Sequence, residues 1–183
     1  MDERLVERAR GGDRDAFAVL ATSSIDRLYR VAYRILRDVE SARDATQQAL
    51  LEAWRDLPSL READRWEAWT YRLVVHACYR ESERDRRQLA AVRLLPVDGS
   101  SLPDTALSVA DRDELERGFR RLPKEQRAVI VLHHYLGLPL TEVAEILDIP
   151  AGTARSRLHI ATRRLRAALE ADAMPVTREG RVV

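Results

Sequence analysis

Apolar residues recur at three- and four-residue intervals along nearly the whole chain, and no run of alternating apolar and polar positions marks a strand. The spacing predicts an all-α fold. Ile25, Leu28, Tyr29, Ala32, Ile35 and Leu36 share one face of a helix. Asp38 stands where a cap is needed for a second helix, which runs through DATQQALLEAWRDL to Pro58. A third begins near Trp66 and carries Trp69, Leu73 and Ala77 inward. The pattern weakens after Arg87. The stretch LLPVDGSSLPDTALS holds two prolines, one glycine and four Ser or Thr residues, a linker composition. Helical spacing returns at Asp111 and continues to about Ala171, and the tail MPVTREGRVV lacks it. The expected organisation is one helical module over 1–87, a flexible linker over 88–110, a second helical module over 111–171 and a frayed tail over 172–183.

The second module holds the most specific local pattern, LTEVAEILDIPAGTARSRLHIATRRLRAAL. A short helix (Leu140–Leu147) meets a tight break at Asp148–Pro150, and a longer helix starts near Ala151, which is helix-turn-helix spacing. Val143, Ala144 and Leu147 point inward from the first helix; Ala154, Leu158, Ala161, Leu165 and Leu169 form the inner stripe of the second. At about 100° per residue the opposite face shows Arg155, Ser156, His159, Ile160 and Arg163, flanked by Arg157, Arg164 and Arg166. Arginine pairs bidentately with guanine, Ser and His donate to base edges, and an isoleucine suits a thymine methyl, so this face fits a DNA major groove. A plain solvated basic helix would explain the charge alone; the turn and the inward–outward partition favour DNA. Upstream, RRLPKEQRAVIVLHHYLGLPL supplies a supporting helix ended by Gly137. His133 and His134 are adjacent, so they point about 100° apart and cannot share a metal; they read as packing or surface residues.

In the first module one flank of the third helix carries Trp69, Arg72, His76, Tyr79 and Arg80. Aromatic and arginine side chains on one stripe can stack on bases and hold the phosphates of a single strand, although Trp66 and Trp69 at i, i+3 suit a core equally well. The charges, 31 basic against 30 acidic, balance overall but not locally. Leu94–Phe119 has two basic residues (Arg112, Arg117) against six acids, a net of −4, whereas Ala151–Leu169 has five arginines and no acid, a net of +5. An acidic connector and a polyanion-binding face follow. Only Lys124 is a lysine; arginine suits bidentate phosphate and guanine contacts, although a genome whose codons favour arginine is the better account of the preference as a whole. At 183 residues and 45% apolar content the chain can bury a core without staples. The single cysteine, Cys78, excludes a disulfide framework and a multi-cysteine zinc site. No apolar run approaches the ~20 residues of a membrane span, and MDERLVERARGGDRDAF has no apolar signal core, so a cytoplasmic protein without membrane insertion is expected. Neither a metal nor a cofactor is expected. An enzyme using Cys78 and His76 is disfavoured: two residues apart on a helix, they diverge by roughly 200°, and Cys78 reads as a semi-buried structural residue.

DATQQALLEAW (Asp44–Trp54), RWEAWTYRLVVHACYRESERDRR (Arg65–Arg87) and LPKEQRAVIVLHHYLGLPLTEVAEILDIPAGTARSRLHIATRRL, in this order across an acidic linker, resemble bacterial RNA polymerase sigma factors of the extracytoplasmic-function (ECF) subgroup. The resemblance covers almost everything outside linker and tail. It implies two small helical domains, sigma region 2 and sigma region 4, and an initiation factor with no catalysis of its own. Asp44, Gln47, Gln48, Leu51 and Trp54 would sit on or support the face that docks on the clamp coiled coil of the large polymerase subunit, and the upstream flap is a second implied contact. The loop Ser59–Arg65 would take a flipped base of the non-template −10 strand, and Trp69, Arg72, His76, Tyr79 and Arg80 would line the melted DNA. Arg155, Ser156, Arg157, His159 and Arg163 would engage the −35 duplex. An anti-sigma factor is a further implied partner. Three positions depart from the family pattern: His76 stands where many members have Asn, Pro139 where a Ser or Thr cap is usual, and Ile160 where Arg is frequent. A conventional helix-turn-helix regulator explains residues 140–169 equally well, but leaves the Trp69–Arg80 stripe and the Asp44–Trp54 helix without a role. The sigma reading expects two working modules rather than one fused globule.

Overall fold

Aspartate caps set where the first long helices begin. The computed structural model describes residues 3–92 and 109–173, with side chains over 3–84 and 115–170. Asp13 Oδ1 accepts from the Ala16 amide at 3.0 Å and Asp38 Oδ1 from the Ser41 amide at 2.7 Å, satisfying donors that a helix start otherwise leaves unpaired. The first module is thus α1 (Glu3–Arg10), α2 (Arg14–Leu36), α3 (Val39–Asp56) and α4 (Trp66–Val92), with short 3₁₀ turns at Leu57–Ser59 and Ala63–Arg65. Leu28, Ala32 and Ile35 are buried as the spacing requires, but Ile25 is 44% exposed: among the described residues it is only partly covered. The backbone of α4 runs past the expected linker start at 88, because RRQLAAV consists largely of good helix formers. Residues 93–108, most of the expected linker, and 174–183, most of the tail, lie outside the described residues.

The second module is α5 (Val109–Arg120), α6 (Lys124–Ile130), α7 (Leu140–Leu147) and α8 (Ala151–Ala173). Between α6 and α7 the chain makes a π-helical turn, Val131–Tyr135, in which the Leu136 amide reaches back to the Val131 carbonyl at 3.1 Å. Nothing in the apolar spacing announced it. Gly137, at φ 73°, then releases the chain. The break between α7 and α8 falls where expected. Asp148 adopts the left-handed conformation (φ 54°) and ends α7, and the Pro150 carbonyl accepts from the Thr153 amide at 2.8 Å to start α8. At Gly118 a Cβ would stand 3.2 Å from Leu165 and Ala168, so glycine sets how closely α5 lies on α8.

Two clusters hold the molecule together. The smaller gathers Val6, Ala9, Leu20, Ala53, Leu57 and Trp66, and the Trp66 indole N–H donates to Ser24 Oγ at 3.3 Å. The larger starts from Leu28, Val31 and Ile35 of α2, Ala42, Ala45 and Ala49 of α3, and Tyr71, Val74, Val75 and Cys78 of α4. It continues without a break into Ala128, Val129, Val131 and Leu132, and on to Val143, Ile146 and Leu147 of α7. α7 packs on α4, and α6 with the π-helical turn packs on α2. The all-α class with two helical modules holds. How they sit against each other the sequence left open; in this structure they share a common core. Spacing along one helix shows which face is apolar but not what covers it, and here each module covers the other. Ile146, which the inward assignment missed, is 3% exposed.

Candidate nucleic-acid and polymerase interfaces

α8 offers the cleanest surface. Arg155, Ser156, His159, Ile160 and Arg163 are all exposed, while Ala154 and Ala161 on the opposite side are fully buried. Ser156 Oγ donates to the Thr153 carbonyl at 3.0 Å, which leaves the oxygen able to accept. Arg157 is half-buried and lies close enough to Tyr79 of α4 for its charge to reach the Tyr79 hydroxyl, so it stands apart from the other four predicted −35 residues. Arg164 is tied to Gln126 at 3.3 Å.

The five predicted −10 residues on α4 do not form one open platform. Trp69 is half-buried, its ring 5.7 Å from that of Trp66, on the border of the smaller cluster. Arg72 is exposed and pairs with Asp148 at 3.5 Å. His76 is half-buried; burial first, then Arg72 and Arg80, hold its imidazole below the usual value of 6.5. Tyr79 lies beneath the second module: Lys124 Nζ stands 5.6 Å from its ring and donates to its carbonyl at 3.1 Å. The Tyr79 hydroxyl is buried without a hydrogen-bond partner, and burial raises its pKa. Arg80 turns the other way and donates to Glu52 at 2.5 Å. In the loop Ser59–Arg65, Arg10 pins the backbone by donating to the carbonyls of Leu60 and Arg61 at 3.2 and 3.0 Å. Arg65 at its end donates to Glu145 of α7 at 2.7 Å. Sequence reasoning missed Arg10, Lys124, Glu145 and Asp148, because their partners lie 45 to 80 residues away, beyond the reach of any local pattern.

On α3 the predicted polymerase-binding residues divide. Asp44, Gln47, Gln48 and Leu51 line one wall of an open groove of about 930 Å³, and the opposite wall is α4 from Ala77 to Arg84. Leu51 is 57% exposed. Trp54 lies off the groove and packs on Phe17, ring centroids 4.9 Å apart. Glu52 ties the walls together, accepting from Gln48 at 2.9 Å and from Arg80. Among the described residues no group of three or more His, Cys, Asp or Glu could hold a metal. His133 Nδ1 lies 2.8 Å from the Leu138 carbonyl and His134 is exposed, as read. Cys78 is fully buried rather than semi-buried, because α4 is covered by the second module as well as by its own, and burial pushes its thiol up to about 12.

These surfaces coincide with two family models. The model for sigma-70 region 2 matches residues 20–88, and that for sigma-70 region 4 matches residues 112–165. Among curated relatives, the ECF RNA polymerase sigma factor SigM of Mycobacterium tuberculosis (strain ATCC 25618 / H37Rv) is 34% identical, over 90% of this chain and 82% of that protein. The chain belongs to the ECF family of sigma factors. The ECF sigma-E factor of Escherichia coli K12 is 30% identical over 97% of this sigma factor and 96% of its own length, and SigW of Bacillus subtilis 168 is 28% identical over 91% and 95%. Among solved structures, the sigma factor RpoE in complex with the anti-sigma factor NepR from Bartonella quintana shares the fold, with a TM-score of 0.70 and 20% identity over 85% of this chain and 98% of that one. CnrH in complex with the cytosolic domain of CnrY does so at 0.66 and 23%, over 94% and 99%. The protein is thus an RNA polymerase sigma factor, a transcription initiation factor. No helix among its described residues is long and apolar enough to cross a membrane.

Proposed function

We propose that this sigma factor divides its work as 1–87 on polymerase and melted strand, 88–110 as connector and 111–171 on upstream duplex, with 172–183 as tail. The α3–α4 groove receives the clamp coiled coil, with Leu51 as its exposed apolar contact and Asp44, Gln47 and Gln48 as its polar edge. The second module also meets the upstream flap. On the −35 duplex, Arg155 and Arg163 supply bidentate donors, Ser156 and His159 reach base edges, Ile160 offers an apolar contact and Arg157 joins from the flank. On the −10 element, the loop Ser59–Arg65 holds a base out of the stack, at a few kcal/mol of unstacking, and Trp69, Arg72, His76, Tyr79 and Arg80 take the separated strand. The chain makes and breaks no bond itself, needs no cofactor or metal, and works in the cytoplasm. Its acidic connector threads toward the polymerase active site and the RNA-exit channel. An anti-sigma factor holds it in reserve, a reading supported by a fold relative that was solved with an anti-sigma factor bound.

The observation that carries this reading is the pairing, on one chain, of an outward basic face on α8 with an open groove between α3 and α4. A DNA-binding regulator needs the first and has no use for the second. The test is run-off transcription with core polymerase on a library of genomic fragments. Purified chain added to core should produce discrete transcripts from a subset of fragments. A chain that shifts promoter DNA with high specificity alone, and never co-purifies with core, would make it an ordinary regulator.

A further inference from the structure

We infer that Glu52 is a positioning residue for polymerase docking: it does not itself line the α3–α4 groove, but it holds Gln48 on one wall and Arg80 on the other in the arrangement that the polymerase meets. This rests on the reading above that the groove receives the clamp coiled coil. Gln48 and Arg80 both line the groove. A single oxygen of Glu52, Oε1, accepts from Gln48 Nε2 at 2.9 Å and from the Arg80 guanidinium at 2.5 Å. Gln48 and Glu52 stand four residues apart on α3, the spacing at which side chains on one helix face meet. Arg80 comes from α4, 28 positions later, so no local pattern announces the bridge.

Burial is unequal among the three partners. The Glu52 side chain is 12% exposed, whereas that of Arg80 is 51% exposed, and Gln48 is exposed as well. A carboxylate withdrawn from water needs a cation and hydrogen-bond donors to remain charged. Arg80 supplies the cation and Gln48 a donor, so Glu52 is fixed from both helices. It then fixes them in turn. An ionised carboxylate only accepts, so it takes the nitrogen end of the Gln48 amide and leaves the oxygen end to accept from a donor on the polymerase.

Other groups of the groove cannot set this orientation. Ala45 and Ala77 are buried and end at Cβ, too short to steer the long side chains around them. A glutamine left free on the surface loses rotamer freedom when a partner immobilises it, and that loss weakens binding. Held by Glu52, Gln48 is ordered before the polymerase arrives. Its neighbour on the same wall, Leu51, is 57% exposed and apolar, a side chain that Glu52 cannot hold. Two contact residues thus flank one carboxylate, and only Gln48 depends on it. A general loosening of the fold would weaken both alike.

The test measures the affinity of the full chain for core polymerase without DNA, which keeps the strand contact proposed for Arg80 out of the readout. Glu52→Ala should bind core about fivefold more weakly than the wild type at unchanged helix content, the scale of immobilising one long side chain. Gln48→Ala should cost a similar factor in the wild type and less than about twofold in the Glu52→Ala background, because the amide it removes is no longer held there. Leu51→Ala should cost the same factor in both. Glu52→Leu fills the space without an acceptor and should bind as weakly as Glu52→Ala; it also replaces that background if the alanine variant does not fold. Glu52→Gln keeps an acceptor oxygen at the same reach and should regain affinity over both. A Gln48→Ala cost that is equal in the two backgrounds, wild-type affinity in Glu52→Ala, or equal losses in Glu52→Gln and Glu52→Leu each overturn the inference. The groove reading has its own arm. If neither Leu51→Ala nor Gln48→Ala changes core affinity in the wild type, the groove does not receive the polymerase, and the inference falls with it. If Leu51→Ala weakens core binding while the Glu52 variants bind as the wild type does, only the positioning role is wrong.

Discussion

Asp38 shows how much one side chain can decide. Its carboxylate accepts from both the amide and the hydroxyl of Ser41 at 2.7 Å, and these bonds hold its pKa below the ordinary 3.8. Asp38→Ala should cost about 1 kcal/mol in urea unfolding, the usual worth of a helix cap. The sign with pH follows from the lowered value. The unfolded chain takes up this proton first as acid is added, so the stabilisation is complete above the ordinary carboxylate range and fades as pH falls below it. The wild type should therefore lose its advantage over Asp38→Ala in acid, and an advantage that persists there would mean the cap is not the source. This residue was legible because a cap needs only its own neighbours. Tyr79 was not. Its place on a stripe with Arg72 and His76 was visible in the spacing, but its burial under Lys124 depends on a residue 45 positions later.

At the scale of the element, legibility tracked how local the cause was. The bounds of α7 and the start of α8 followed from an apolar face interrupted by Asp148 and Pro150, both of which act on their own backbone. The π-helical turn at Val131–Tyr135 escaped because its apolar residues keep a helical spacing on either side. α8 itself was read nearly correctly, with one side exposed and one buried, and only Arg157 drawn toward Tyr79. That separation of faces allows a clean substitution. Arg155 is exposed and makes no hydrogen bond or ion pair among the described residues, so Arg155→Ala should leave the melting temperature and co-purification with core unchanged. Its affinity for −35 duplex should fall by about 1–3 kcal/mol, the worth of one good base contact. Loss of core binding by a folded Arg155→Ala chain would show that the wrong surface has been placed on DNA.

For the whole molecule the decisive feature is the shared core, and it was the least legible, since no helix records in its own spacing which distant helix will cover it. Its consequence is measurable. All three tryptophans, Trp54, Trp66 and Trp69, lie in the first module, so their fluorescence reports that module alone, whereas far-ultraviolet circular dichroism reports both. If the seam from Val74 and Val75 to Leu132 and Ile146 is a true core, the two signals should trace a single transition in urea. Leu132→Ala sharpens the test. Leu132 is fully buried in the second module, and truncating such a leucine costs about 2–5 kcal/mol through lost burial and the cavity left behind. Coupled modules would pass that loss on, and the tryptophan midpoint would fall together with the dichroism midpoint although no tryptophan belongs to the altered module. A tryptophan midpoint that stays in place while the dichroism curve splits in two would mean that the modules unfold independently. The apolar seam would then be too weak to join the two modules into one cooperative unit.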